Sequence, residues 1–178
     1  MSQSIIQDIQ NKLNEKKISC VQLVREKIAA LQSSTKNANN LILDEQALEQ
    51  AKIWDEKIAS GHILSGIEGI PFGVKDVYLL KGTISTASSN ILKNYKSPYT
   101  ATAIQKLIDA GAIPICKENC DQVGHGSTNE NSVFGVAKNA HNDDKVAGGS
   151  SGGSAVNVAE GNTVFSIGGD TGGSIRQP

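Results

Sequence analysis

The apolar positions in the first third of the chain recur every three or four residues. This spacing predicts surface helices at Gln3–Glu15 and Cys20–Gln32, and a third helix from Asp44 to a stop at Gly61. A short apolar run, Leu41–Leu43, precedes the third helix. We therefore expect a helical region over about residues 1–60.

From Ile70 onward the period changes to short apolar runs typical of strands, separated by helical and loop segments. Because strand, helix and strand alternate, the pattern predicts an α/β fold, with a parallel sheet covered by helices, over about residues 65–178. The region 117–147 has weak periodicity and predicts a long, ordered loop. The predicted strands are Ile70–Val74, Val77–Leu80, Ile113–Cys116 and Val164–Ile167, and the predicted helices are Ala101–Ala110 and Ala155–Glu160.

The composition excludes several classes of function. Seventeen Lys and Arg against eighteen Asp and Glu, in 178 residues, leave no field that would steer the chain onto RNA, so another surface is expected to hold any RNA partner. Three cysteines and the absence of a signal-peptide pattern indicate a reduced, cytoplasmic compartment. No stretch of eighteen apolar residues is present, so we expect no membrane partner.

Nine of the eighteen glycines lie between Gly148 and Ser174. Such a segment usually needs unusual backbone dihedrals or a close approach of the backbone to a ligand, so we expect the functional site there. A flexible linker is disfavoured because apolar runs interrupt the segment. A phosphate-binding loop fails because Ser154 stands where the lysine is needed. A hydrolase nucleophile elbow at 148–152 lacks a preceding strand, and the last histidine is His141, so it remains a weak alternative.

Three motifs together carry more information than any one glycine loop. They are V-K-D at Val74–Asp76, G-G-S-S-G-G-S at Gly148–Ser154 and D-T-G-G-S-I-R at Asp170–Arg176. In order and spacing they resemble the amidase signature family. The resemblance implies an α/β fold with a mixed sheet core. Family members are longer, so the chain, which stops four residues past Ser174, is expected to be the N-terminal portion of a single amidase domain.

The resemblance also implies a Ser-Ser-Lys triad. Ser174 would be the nucleophile, and its proton would pass through Ser150 to Lys75, which must be neutral to accept it. The backbone N–H groups of Thr171, Gly172, Gly173 and Ser174 would form the oxyanion hole. The resemblance also implies a cis peptide bond immediately before Ser150. Neutral lysine at pH 7 costs about 4.6 kcal/mol without a lowered pKa. The competing interpretation is a surface ion pair between Lys75 and Asp76.

Within the family, the stretches 117–121, 126–135 and 174–178 resemble glutamine amidase subunits of Glu-tRNA(Gln) amidotransferases. This implies that glutamine is hydrolysed and that ammonia passes to partner subunits of a heterotrimer, which amidate ATP-activated Glu-tRNA(Gln). ATP, Mg²⁺ and most tRNA contacts are expected on a partner, with no cofactor or metal on this chain. Residues that hold the substrate's amino-acid group are unknown and expected beyond residue 178, so the chain alone is expected to be inactive.

Three alternatives stay open at this point. The first is a stand-alone amidase that hydrolyses a small carboxamide. The second is a noncatalytic assembly protein, against which the joint presence of Lys75, Ser150 and Ser174 argues. The third is a nucleotide-binding module.

Overall fold

A computed structural model describes residues 4–178, and it begins with two helices capped by serine. Helix α1 spans Ile5–Asn14, and Ser4 caps it by accepting a hydrogen bond from the Gln7 N–H. Helix α2 spans Cys20–Ser33 and begins with a capping box between Ser19 and Gln22. Both predicted helices are confirmed, although Gln3, at the start of the first, lies outside the described residues.

The remaining elements form one mixed, four-stranded sheet with helices against it, as expected. The strand order is β1-β3-β2-β4, with β2 parallel to both of its neighbours and β1 antiparallel to β3. The strands are β1 (Asn39–Ile42), β2 (Pro71–Lys75), β3 (Ile113–Glu118) and β4 (Phe165–Ile167). The further helices are α3 (Asp44–Ala59), α4 (Thr102–Asp109) and α5 (Gly152–Ala159).

One predicted strand, Val77–Leu80, is wrong. After Lys75 the chain turns out of the sheet, because the Tyr78 N–H donates to the Lys75 carbonyl at 3.0 Å. The Asp76 side chain is buried in polar contacts, and Leu80 packs into the core beside Phe72 without joining a strand. The apolar run therefore reflects burial of a loop, which periodicity does not distinguish from a short strand.

The core consists of two main clusters on the sheet. One packs α2 and α3 against β3, around Leu23, Ala51 and Ile115. The other packs Ile104 of α4 against Phe72 and Val74 of β2. Since β2, β3 and β4 are parallel, their carboxyl ends meet at one edge of the sheet, where Lys75 and Glu118 lie.

Most of the predicted loop at 117–147 is irregular, as expected, but its first two residues belong to β3. It contains a short 3-10 turn at Gln122–Gly124, and Asn37 fastens it by donating to the carbonyl of Phe134 at 2.8 Å. Across residues 4–178, no helix has the length and apolar character needed to cross a membrane.

Candidate active site

Lys75 is the last residue of β2, and its side chain runs inward to the two glycine-serine motifs. It is 1% exposed, and Nζ donates to Ser150 Oγ at 2.7 Å and to Ser151 Oγ at 2.9 Å. A longer contact of 3.4 Å joins Nζ to the carbonyl of Gly169. Lys75 therefore contacts the first motif directly and reaches the backbone of Gly169, which immediately precedes the second motif. It forms no surface ion pair with Asp76.

Ser150 and Ser151 lie immediately before α5. The helix begins at Gly152, earlier than the predicted Ala155, and the peptide bond between Gly149 and Ser150 is cis. A Cβ at Gly152 would approach Asn129 Oδ1 to 2.6 Å, so this position has no room for a side chain. The close approach of the Asn129 loop thus fixes the start of α5 beside Lys75.

Ser174 lies in the loop that follows β4, half-buried beside Ser151. Its carbonyl accepts the Ser151 N–H at 3.0 Å, and Ser174 and Gly149 line the same surface depression. Within residues 4–178 its hydroxyl makes no hydrogen bond. The structure therefore brings Lys75 and Ser150 into direct contact and places the Ser174 backbone next to them, without a direct bond from the Ser174 hydroxyl.

Asp170 organises the Ser174 loop. Its carboxylate accepts the Gly173 N–H at 2.8 Å and the Ile175 N–H at 3.1 Å, and it pairs with the Arg176 guanidinium at 2.9 Å. The Arg176 pair and these N–H groups hold the pKa of Asp170 well below its usual range. Asp170 and Arg176 thus hold the loop together.

Of the four expected oxyanion donors, one is occupied by Asp170. The Gly173 N–H points to that carboxylate, whereas those of Thr171, Gly172 and Ser174 have no acceptor in the described part of the chain. Three backbone donors in one loop remain available to a developing negative charge.

The environment of Lys75 favours its uncharged form. Burial lowers the pKa of the amine, and the nearby Cys120, Asp121 and Asp170 partly offset this effect. The Cys120 thiol has a pKa raised to about 11, mainly by burial. A lysine with a lowered pKa, held 2.7 Å from a serine hydroxyl, is suited to accept that hydroxyl's proton.

A buried polar network behind the site was missed by the sequence analysis. Lys117 pairs with Asp76 at 2.6 Å and donates to Ser85 at 3.0 Å, with Lys117 fully buried. The only sequence signal is the position of Asp76 in V-K-D. Its partner lies on the neighbouring strand, which the sequence does not reveal.

Glu118 is the second missed residue, and it connects β3 to α5, which carries the end of the first serine motif, and to β4. Fully buried at the end of β3, it accepts hydrogen bonds from Ser154 and Asn157 of α5, at 2.6 and 3.1 Å, and from Ser166 of β4 at 2.6 Å. Burial raises the pKa of Glu118, and these three bonds oppose the rise. Ser151, also missed, had a visible signal because it follows Ser150 within the motif.

The sequence of this chain matches a known protein family. The family model described as Amidase matches residues 20–178. A relative from Neisseria meningitidis serogroup A, which is a subunit of glutamyl-tRNA(Gln) amidotransferase, is 43% identical over 180 residues that cover 100% of this chain. The chain spans about 37% of the length of this curated relative.

Two solved structures are similar in fold. The corresponding glutamyl-tRNA(Gln) amidotransferase subunit from Thermotoga maritima matches with a TM-score of 0.71 at 33% identity, covering 94% of this chain and 32% of that one. A vestigial protein complex, described as revealing the origins of an s-triazine catabolic enzyme, matches with a TM-score of 0.90 at 30% identity. That match covers 94% of this chain and 37% of the other.

Proposed function

Because the chain belongs to the amidase family, we propose that it carries the Ser-Ser-Lys machinery of a glutamine amidase subunit. The observation that carries this proposal is the 2.7 Å contact between the buried Lys75 amine and the Ser150 hydroxyl, next to the Ser174 loop. A serine hydroxyl needs such a base to become a nucleophile.

In the proposed reaction, Ser174 Oγ attacks the carboxamide carbon of the substrate. Its proton moves to Ser150 Oγ, and the proton of Ser150 moves to neutral Lys75. The N–H groups of Thr171, Gly172 and Ser174 bind the oxyanion. The C–N bond then breaks, Lys75 returns a proton through Ser150 to the leaving ammonia, and water hydrolyses the Ser174 ester.

The amidotransferase assignment rests on the named relatives. The Neisseria meningitidis and Thermotoga maritima proteins carry the same name, that of one subunit of glutamyl-tRNA(Gln) amidotransferase. We infer that glutamine is the amide donor, and that cytoplasmic partner subunits receive the ammonia and bind ATP, Mg²⁺ and tRNA. The near-neutral net charge of -1 supports RNA binding by a partner.

A stand-alone amidase is the second candidate, because a solved structure described only as an amidase matches this chain with a TM-score of 0.84 at 32% identity. Both candidates use the same site residues. They differ in the fate of ammonia, which is passed to Glu-tRNA(Gln) in one and released to solvent in the other.

A chimera tests both the site and the assignment. Residues 1–178 replace the matching part of the Neisseria meningitidis relative, which is assembled with its own partner subunits. We expect glutamine-dependent formation of Gln-tRNA(Gln). Ser174→Ala should abolish acyl-enzyme trapping by a carboxamide-mimicking electrophile, whereas Ser150→Ala should retain slow acylation.

Ser33→Ala is the matched control, because this hydroxyl lies at the end of α2 and, within residues 4–178, bonds only the Ala30 carbonyl. A label on Ser150 instead of Ser174 would support the nucleophile-elbow alternative. Release of ammonia from other carboxamides, without transfer to tRNA, would favour the stand-alone amidase.

A further inference from the structure

Asp121 is a buried carboxylate that the proposed reaction does not yet use. It is 1% exposed and lies three residues after β3. Its carboxylate accepts one hydrogen bond in the described part of the chain, from the Asn129 N–H at 3.0 Å, and forms no ion pair there. A buried carboxylate without a cationic partner is costly, so its charge calls for a compensating group.

The surroundings of Asp121 fix it against the turn that carries Ser150. Its own N–H donates to the Ser150 carbonyl at 3.2 Å. A Cβ at Gly149 would lie 2.1 Å from Asp121 Oδ2, and one at Gly126 would lie 2.2 Å from its Cγ. Two glycines therefore leave space for this carboxylate, between the loop of Gly126 and the cis turn.

Three potentially negative groups influence Lys75, namely Cys120, Asp121 and Asp170. Burial raises the pKa of the Cys120 thiol to about 11, which keeps it neutral at pH 7. Asp170 is exposed and already paired with Arg176. Of these three groups, Asp121 is therefore the one that is both buried and a carboxylate, and Lys75 is the cation nearby that can compensate its charge.

We propose that Asp121 is a positioning residue with two roles, holding the Gly149–Ser150 turn and stabilising the ammonium form of Lys75 after proton transfer. The proposal rests on the proposed function for its catalytic meaning. Without Asp121 the proton taken from the nucleophile would reside on an amine with less negative charge nearby. Proton transfer to Lys75 would then be less favourable.

The test measures the titration of Lys75 in the 178-residue chain, by NMR of ¹³C-labelled lysine, with the signal assigned through Lys75→Arg. Asp121→Asn keeps the shape and removes the charge. Because a nearby anion favours the protonated amine, we expect this variant to lower the midpoint by about 0.5 pH or more. Glu118→Gln, a buried carboxylate that is not among the charges acting on Lys75, should leave the midpoint in place.

The measurement needs no turnover, so its result is separate from that of the proposed function. An unchanged midpoint in Asp121→Asn would overturn the proposal. Asp121→Ser, which is smaller, serves as a second uncharged variant, and unfolding of both would show that the carboxylate acts in folding alone. In the chimera, Asp121→Asn should lower kcat about 10-fold or more and change KM little.

Discussion

At the scale of single residues, burial of the Lys75 amine links the free energy of unfolding to pH. It is 1% exposed and its amine has a lowered pKa, whereas in the unfolded chain it would titrate near an ordinary value of about 10.4. Between the lowered folded pKa and about 10.4, the unfolded state binds more protons. The free energy of unfolding therefore gains a contribution that rises with pH across this window.

We predict that Lys75→Met removes this dependence on pH. The difference in unfolding free energy, wild type minus variant, should increase between pH 7 and 10, with a slope of at most about 1.4 kcal/mol per pH unit. Urea denaturation of both proteins at several pH values measures it. Lys52→Met, at an exposed position on α3, is the control. If the difference in unfolding free energy for Lys75→Met changes with pH no more than that for Lys52→Met, the prediction is wrong.

At the scale of elements, Gly73 of β2 leaves the space that the Glu118 carboxylate of β3 occupies. A Cβ at Gly73 would lie 1.9 Å from Glu118 Oε1 and 2.7 Å from Ser166 Oγ. We predict that Gly73→Ala displaces the carboxylate from Ser166 and Ser154 and lowers the unfolding free energy by about 2–4 kcal/mol. Urea denaturation measures the loss.

Gly172→Ala is the matched control for stability, because a Cβ there meets no atom within 4 Å and the backbone is not in the left-handed region. The double variant Gly73→Ala with Glu118→Ser should recover part of the loss, since the shorter side chain clears the new methyl group. Equal stability of the two alanine variants would show that Glu118 does not determine the spacing of these strands.

The elements that the sequence predicted are those whose burial follows a local period. Helix α4 is an example, because Ile104, Leu107 and Ile108 recur at helical spacing and pack into one cluster. The observed bounds of α4 differ from the predicted ones by one residue at each end. The predicted Val77–Leu80 strand is wrong because the chain turns out of the sheet after Lys75 and its apolar run is buried in a loop. Asp76, at the start of that turn, pairs with Lys117, a residue 41 positions away. The weak periodicity predicts a loop at Lys117 and Glu118, which instead end β3, because their buried partners lie on other elements.

The candidate site followed the same division. Lys75, Ser150 and Ser174 became candidates because three short motifs resemble those of the amidase signature family. Asp121 and Glu118 act through contacts with Gly149 and Ser154. Such pairings depend on how distant loops pack, and a single sequence contains no local pattern that reveals them.

At the scale of the whole molecule, the Ser174 loop is less enclosed than the lysine it faces. Thr171 and Gly172 are exposed, and the Arg176 side chain, which holds Asp170, is 76% exposed. By contrast Lys75 and Ser150 are each 1% exposed. The proposed base and relay serine thus belong to a packed core, whereas the proposed nucleophile and oxyanion donors lie on a loop held by Asp170, Arg176 and the Ser151 N–H.

We therefore predict that the 178-residue chain by itself does not hydrolyse glutamine. Backbone N–H donors stabilise an oxyanion only when they are held in place before the reaction. In this chain the loop is held largely by the pair of Asp170 and Arg176, both of them exposed residues. The curated relative from Neisseria meningitidis is much longer, since this chain spans 37% of it, and the chimera supplies that remaining part. Ammonia release should be undetectable for the isolated chain and present for the chimera. Glutamine turnover by the isolated chain that disappears in Ser174→Ala would show that residues 1–178 hold the loop sufficiently without further contacts.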